Sequence, residues 1–194
     1  MGKIISAYVM PHPPIVVPEV GRGEEAGAQR TVDALRKAGE MIKEEKPTTI
    51  VLTTPHGPIF SDHTYISTSP RLSGNLSRFR AGGVKLEFEN NTELINRIVK
   101  HSNAEGISAG GLDDNLLKRY NISKELDHGA VVPLYFAAEG VPDAKLVHIS
   151  IAGLSLEDLY RFGMCISRAI DETDERVVFI ASGDLSHRLS YDGP

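Results

Sequence analysis

Four runs of almost uninterrupted apolar character, at residues 4–10, 49–54, 145–151 and 177–181, constrain this chain more than any other feature. Runs of that kind fit strands covered on both faces, whereas a sheet with one wet face would show strict alternation. Amphipathic stretches lie between them. In residues 29–45, Val32, Leu35, Met41 and Ile42 mark one side of a helix, and Arg36, Lys37, Lys43 and Glu44 mark the other. Thr92 is placed as the N-cap of a second helix, with Leu94, Ile95, Ile98 and Val99 on one face. Ser155 and Asp158 form a capping-box-like start to a third, which carries Leu159, Tyr160 and Ile170. Alternating strands and helices predict a three-layer α/β sandwich around a mostly parallel sheet. Residues 63–88 break the rhythm. They are rich in Thr, Ser, Gly and Arg, with strand-like pieces at 65–68 and 85–88, and read as a small antiparallel excursion with a mobile tip around 78–83.

Size and charge narrow the function. A chain of 194 residues fits a single domain with a sizeable core. The net charge of −5, with no basic stripe, argues against a nucleic-acid binder. No apolar run approaches the ~20 residues of a membrane-spanning helix, and the N-terminus passes into a strand pattern without a signal-peptide core. Gly2 followed by Ser6 has the outline of a myristoylation site, but a strand starting at Lys3 would withdraw it. The single cysteine, Cys165, sits in a helical pattern and supports neither a disulfide framework nor a thiolate cluster. A cytoplasmic location is expected. Arg71, Arg78 and Arg80 read as a solvated basic loop.

The chemistry concentrates in histidine motifs at the ends of predicted strands and in loops. Carboxyl ends of strands border the ligand crevice of an open α/β sheet. His12, flanked by Pro11, Pro13 and Pro14, follows the first strand on a turn stiffened by fixed proline φ angles. His56, between Pro55 and Gly57, follows the second. If those strands are sheet neighbours, the two imidazoles make a metal-binding pair. His187 follows the strand at 177–181, and its ordinary pKa of ~6.5 suits proton transfer at neutral pH. Asp184, three residues earlier, is positioned to orient that ring or to cap a helix. His128, beside Asp127 and Gly129, precedes the apolar run 131–138; from a helix start, the dipole would favour its neutral, hydrogen-bonding form. His63 is read as a residue of the pocket entrance, His148 as a mid-strand core or sheet-face histidine, and His101 as a helix end. Neither a nucleotide-binding glycine loop nor a Gly-x-Ser-x-Gly elbow is present.

The strings Pro11-His-Pro-Pro14, Thr54-Pro-His-Gly57, Leu126-Asp-His-Gly129 and Ser182-Gly-Asp-Leu-Ser-His187 together resemble the class III extradiol ring-cleavage dioxygenases. That family includes the catalytic subunit of protocatechuate 4,5-dioxygenase. The nearest likeness is to its branch known as AmmeMemoRadiSam system protein A, whose N-terminal half is a domain of this kind. The resemblance runs from residue 3 to the end. It implies His12 and His56 as iron(II) ligands, His187 as the acid/base residue and His128 as a supporting catalytic group. It also implies a catechol-like aromatic substrate with dioxygen, and it is compatible with a homo-oligomer. In the family the third metal ligand follows the stretch matching His187, so here it is expected beyond Pro194, and the domain is expected to be truncated at its C-terminus. Two alternatives stand beside this reading: a Memo-like metal-binding scaffold without ring cleavage, and a metal-dependent hydrolase on the same fold.

Overall fold

Strand β2 (Thr49–Thr54) shows how one sheet comes to be covered on both sides. Ile50 and Leu52 point into one hydrophobic cluster and Val51 into the other, following the two-residue period of a strand. A computed structural model describes residues 1–184. In chain order the elements are β1 (Lys3–Met10), α1 (Pro18–Gly21), α2 (Gln29–Glu45), β2, β3 (Thr64–Ile66), β4 (Arg71–Leu76), β5 (Ala81–Glu89), α3 (Thr92–Ala104), β6 (Ala109–Gly110), α4 (Asp114–Arg119), α5 (His128–Ala137), β7 (Lys145–Ser150), α6 (Leu156–Asp171) and β8 (Arg176–Ser182). Six strands form the central sheet in the order β1-β8-β2-β7-β3-β6. The ladders are parallel except where β3 runs antiparallel to β7. Helices α2 and α5 cover one face, and α3 and α6 cover the other. No helix among the described residues is long and apolar enough to cross a membrane.

The three-layer α/β architecture with a mostly parallel sheet is thus the one the apolar pattern predicts. The antiparallel pair is β4 with β5, and a short 3₁₀ turn at Ser77–Phe79 joins them. The strand-like piece near residue 65 becomes β3 and joins the central sheet instead.

Several local expectations need correction. β1 and β2 are not neighbours, because β8 lies between them. Nor is β1 covered on both faces: it is an edge strand, and Val9 is 67% exposed. Helix α3 is capped by Asn91 rather than Thr92, since Asn91 Oδ1 accepts from the Leu94 N–H at 3.0 Å. The same side chain donates through Nδ2 to Thr49 Oγ1, so the cap doubles as a tether to β2. In α2 the buried row is Val32, Leu35, Gly39 and Ile42, while Met41 faces outward.

Gly39 explains that row. A Cβ there would stand 2.3 Å from the Phe136 carbonyl oxygen in α5, so the two helices meet backbone to side-chain-free backbone. Helix propensity alone would favour Gly39→Ala by about 1 kcal/mol, but the clash reverses the sign, because overpacking costs about 1–3 kcal/mol. We expect Gly39→Ala to lower the urea midpoint of unfolding, whereas a substitution to alanine at exposed Gly163 should not.

Candidate functional site

The parallel strands end in register, which brings their trailing residues to one edge. Met10 of β1 pairs with Ser182 of β8, and Thr54 of β2 pairs with Ser150 of β7. Just past these ends, the Pro-rich turn after β1 carries His12, and the turn after β2 carries His56, whose N–H donates to Thr54 Oγ1 at 3.1 Å. His128 is the first residue of α5. A Cβ on the next residue, Gly129, would fall 2.7 Å from Thr54 Oγ1 and 2.8 Å from His56 Cδ2, so only glycine lets α5 close onto the end of β2. His12, His56 and His128 each offer one ring nitrogen, and the three lie within 4.8 Å of one another.

The protons in this cluster follow from its partners. Ser182 Oγ donates to the Gly129 carbonyl at 2.5 Å, an oxygen that can only accept. The same Oγ lies 3.0 Å from His12 Nδ1, so it must accept the proton of that ring nitrogen. Nε2 of His12 is left with its lone pair. On His56, Nδ1 lies 3.6 Å from Asp127 Oδ2, a contact longer than a hydrogen bond. The two Nε2 atoms are 3.1 Å apart, and an Nε2–H on His56 donates to the His12 lone pair. A metal ion would take the place of that proton between the two rings. Two nitrogens about 2.1 Å from a common ion, at a right angle, stand about 3.0 Å apart, so the donor set fits a divalent transition metal.

Burial favours the neutral form of His12 and His128. It lowers the His12 pKa below the usual value, against the raising effect of Asp184, whose Oδ2 lies 3.5 Å from Nε2. Burial also lowers the His128 pKa, and the neighbouring His56 lowers it further. The Phe79 ring of the β4–β5 turn packs edge-on against His128 at 5.3 Å. That turn is placed by a bond from Leu126 N–H to the Ser73 carbonyl at 2.8 Å. A cavity of about 330 Å³ opens here, lined by Phe79, Asp127 and His128 among others.

The expected site residues fall into three groups. His12, His56 and His128 converge, with Asp184 beside His12. His63 stands apart on the loop before β3, with Nδ1 at 2.8 Å from Ser108 Oγ and Nε2 at 3.2 Å from the Gly110 carbonyl. Its ring packs on Phe60, which packs on Tyr120. His187 lies outside the described residues.

Sequence reasoning passed over three further residues. Asp127 is the N-cap of α5 by position, yet its side chain makes no cap bond; one oxygen faces His56, and Oδ1 is buried without a partner among the described residues. A free Asp cap is worth about 1 kcal/mol, so a capping residue turned to an imidazole marks a site. Ser182 sets the His12 proton, and its only sequence signal was a neighbouring histidine. His148 is buried in β7 as expected, but only half satisfied. Nδ1 meets Ser67 Oγ at 2.9 Å, while Nε2 has no partner among the described residues. It lines a second cavity of about 330 Å³ on the other side of Asp127.

The comparisons with known proteins bear on this geometry. The model of the family described as catalytic LigB subunit of aromatic ring-opening dioxygenase matches residues 6–194. The chain belongs to that family. It is 46% identical over 187 residues to Protein CA_C1420 of Clostridium acetobutylicum, covering 96% of this chain and 40% of that protein. It is 27% identical over 203 residues to 3,4-dihydroxyphenylacetate 2,3-dioxygenase of Escherichia coli, covering 99% of this chain and 69% of that enzyme. The chain thus spans less than half the length of the first of these relatives. The histidine motifs found in the sequence all fall within the matched region.

Burial pushes the His148 pKa down to about 4. The unfolded chain then binds the extra proton first as pH falls below ~6.5, so stability is full above that pH and is lost progressively toward pH 4. The loss amounts to about 3 kcal/mol at most. Urea midpoints measured from pH 7 to pH 4 should fall less steeply in His148→Gln than in the wild type.

Proposed function

We propose that this protein is a non-haem iron(II) extradiol dioxygenase that opens the ring of a catechol-like substrate with dioxygen. The observation that carries the reading is the convergence of His12, His56 and His128, with two Nε2 atoms 3.1 Å apart and the His12 lone pair turned inward by Ser182. Family membership supplies the reaction class. The Escherichia coli relative is named for 3,4-dihydroxyphenylacetate, which carries hydroxyls on adjacent ring carbons, and that substrate pattern is carried over here. Within the family, the four motifs favour the AmmeMemoRadiSam system protein A branch.

His12 and His56 are assigned as the metal ligands. Iron(II) held there would supply a Lewis-acidic centre that eases loss of a catechol proton and leaves positions for substrate and oxygen. The chain's own groups do the rest. Ser182 holds the His12 imidazole in the tautomer that binds metal, and Asp127 stands beside His56 Nδ1 as the outer partner such a ligand needs. His128, neutral because it is buried, is placed to hydrogen-bond a substrate hydroxyl. Phe79 shields it from water on one side. His187 is assigned as the base that takes a hydroxyl proton and later returns it, a role that rests on its motif. Asp184 is assigned to the pocket wall beside His12, and His63 to steady the pocket entrance through Phe60 and Tyr120.

The test is anaerobic loading with iron(II), addition of a panel of catechols, and admission of air. Oxygen uptake should match formation of a yellow ring-opened product. A protein with stoichiometric iron that opens no catechol sinks the reading. The assignments separate by metal analysis: His12→Ala and His56→Ala should each lose iron, while His128→Ala should keep iron and lose at least tenfold in kcat. Ser182→Ala should weaken metal affinity about 10- to 100-fold, measured by competition with a chelator.

A further inference from the structure

The β4–β5 turn carries Phe79 to the histidine cluster, and one hydrogen bond ties that turn to the rest of the molecule. Within the hairpin, Ser77 N–H donates to Asn75 Oδ1 at 2.9 Å, and Arg80 N–H donates to the Ser77 carbonyl at 3.0 Å. Among the described residues, the only hydrogen bond that reaches 77–80 from outside the hairpin comes from Arg22. Its Nη2 donates to the Arg80 carbonyl at 2.8 Å, a charge-assisted bond. Both ends of this bond hold left-handed backbone, with φ of 51° at Arg22 and 60° at Arg80. Residues with a side chain disfavour that region and persist in it where the surroundings hold them.

Arg22 belongs to the segment that leaves His12 and closes α1, where its own N–H donates to the Pro18 carbonyl at 2.8 Å. Helix α1 is bonded to α5 as well, because Tyr135 OH donates to the Glu19 carboxylate at 3.1 Å. One short helix therefore connects three parts of the site: the turn after β1 with His12, the helix that begins at His128, and the turn with Phe79. We propose that Arg22 is a positioning residue, which latches the β4–β5 turn to α1 and so fixes Phe79 as a wall of the cavity at His128. The assignment rests on the ring-opening reading, in which that cavity of about 330 Å³ receives the catechol. Arg22 touches neither the histidines nor the substrate in it. Without the bond the turn is free to swing, and the Phe79 ring, 5.3 Å from His128, loses its fixed place.

The experiment has two arms. In metal-free protein, initial trypsin cleavage after Arg78 and Arg80 is followed by mass spectrometry in the wild type and in Arg22→Met, which keeps a long stem and loses every donor. Cleavage there should rise about fivefold, because it tracks the open population of the turn. Cleavage after Lys100, in α3, should stay unchanged. With iron loaded, KM for 4-methylcatechol should rise about fivefold with kcat nearly unchanged, whereas an unfolded fraction would lower kcat instead. Phe79→Leu should also raise KM, and adding Arg22→Met to it should do little more. Arg22→Ala should match Arg22→Met. Unchanged cleavage at the turn overturns the latch. An unchanged KM, or effects of Arg22→Met and Phe79→Leu that simply add, overturns the positioning role. Should no catechol be opened, anaerobic calorimetry with 4-methylcatechol takes the place of KM. Binding weakened by Arg22→Met then sustains the latch while retiring the ring-opening reading, and binding that is absent or unaffected overturns the positioning role as well.

Discussion

The hydroxyl of Ser182, at the end of β8, joins three segments that are far apart in the chain. It accepts from His12, beyond β1, and donates to the carbonyl of Gly129, in the first turn of α5. Because a carbonyl can only accept, the direction of this relay has one solution, and the His12 lone pair is aimed inward. Much of the site depends on that placement. The β1–β8–β2 register delivers the three strand ends together, and Gly129 lets α5 come close enough to bring its carbonyl to Ser182 and His128 to the cluster. A bulkier residue at position 129 would push α5 away from His56 before it changed any imidazole chemically.

Asp127 is the second organising group. A residue at the N-cap of a helix normally spends its carboxylate on the helix's own N–H groups. Here it lines two cavities, with one oxygen toward His56 and the other buried without a partner among the described residues. Around it, His12, His128 and His148 all have pKa values lowered chiefly by burial. Two partly exposed carboxylates, Asp127 and Asp184, thus flank imidazoles whose burial favours the neutral form.

Much of this was legible in the residue pattern. Helix α2 begins and ends where its amphipathic stretch does, and β2 matches its apolar run residue for residue. Ser155 caps α6 as its spacing suggests, accepting from the Asp158 N–H. The misses share a cause. Apolar content records that a strand is hydrophobic, not which strands flank it, so β1 read as covered on both faces when it lies, partly exposed, at the edge. Thr92 and Asn91 are both good caps, and the choice went to the one that also reaches Thr49 across the sheet. His148 read as a core residue because burial and cavity-lining look alike along a strand.

For the candidate site, the sequence by itself determined the residue types and their places: histidines on stiff turns after apolar strands, another at a helix start, and motifs characteristic of one family. Those features are local, set by backbone propensity and by two- and 3.6-residue periods, and short-range patterns carry them. Only the tertiary structure decided which imidazoles meet, which nitrogen of His12 keeps its lone pair, and that Asp127 and His148 line one cavity. Those outcomes depend on strand order and helix approach, where β8 is inserted between β1 and β2 and a glycine sets the distance of α5. No local pattern encodes them, because the residues that meet are far apart in the chain, as with His12 and His56 at a separation of 44.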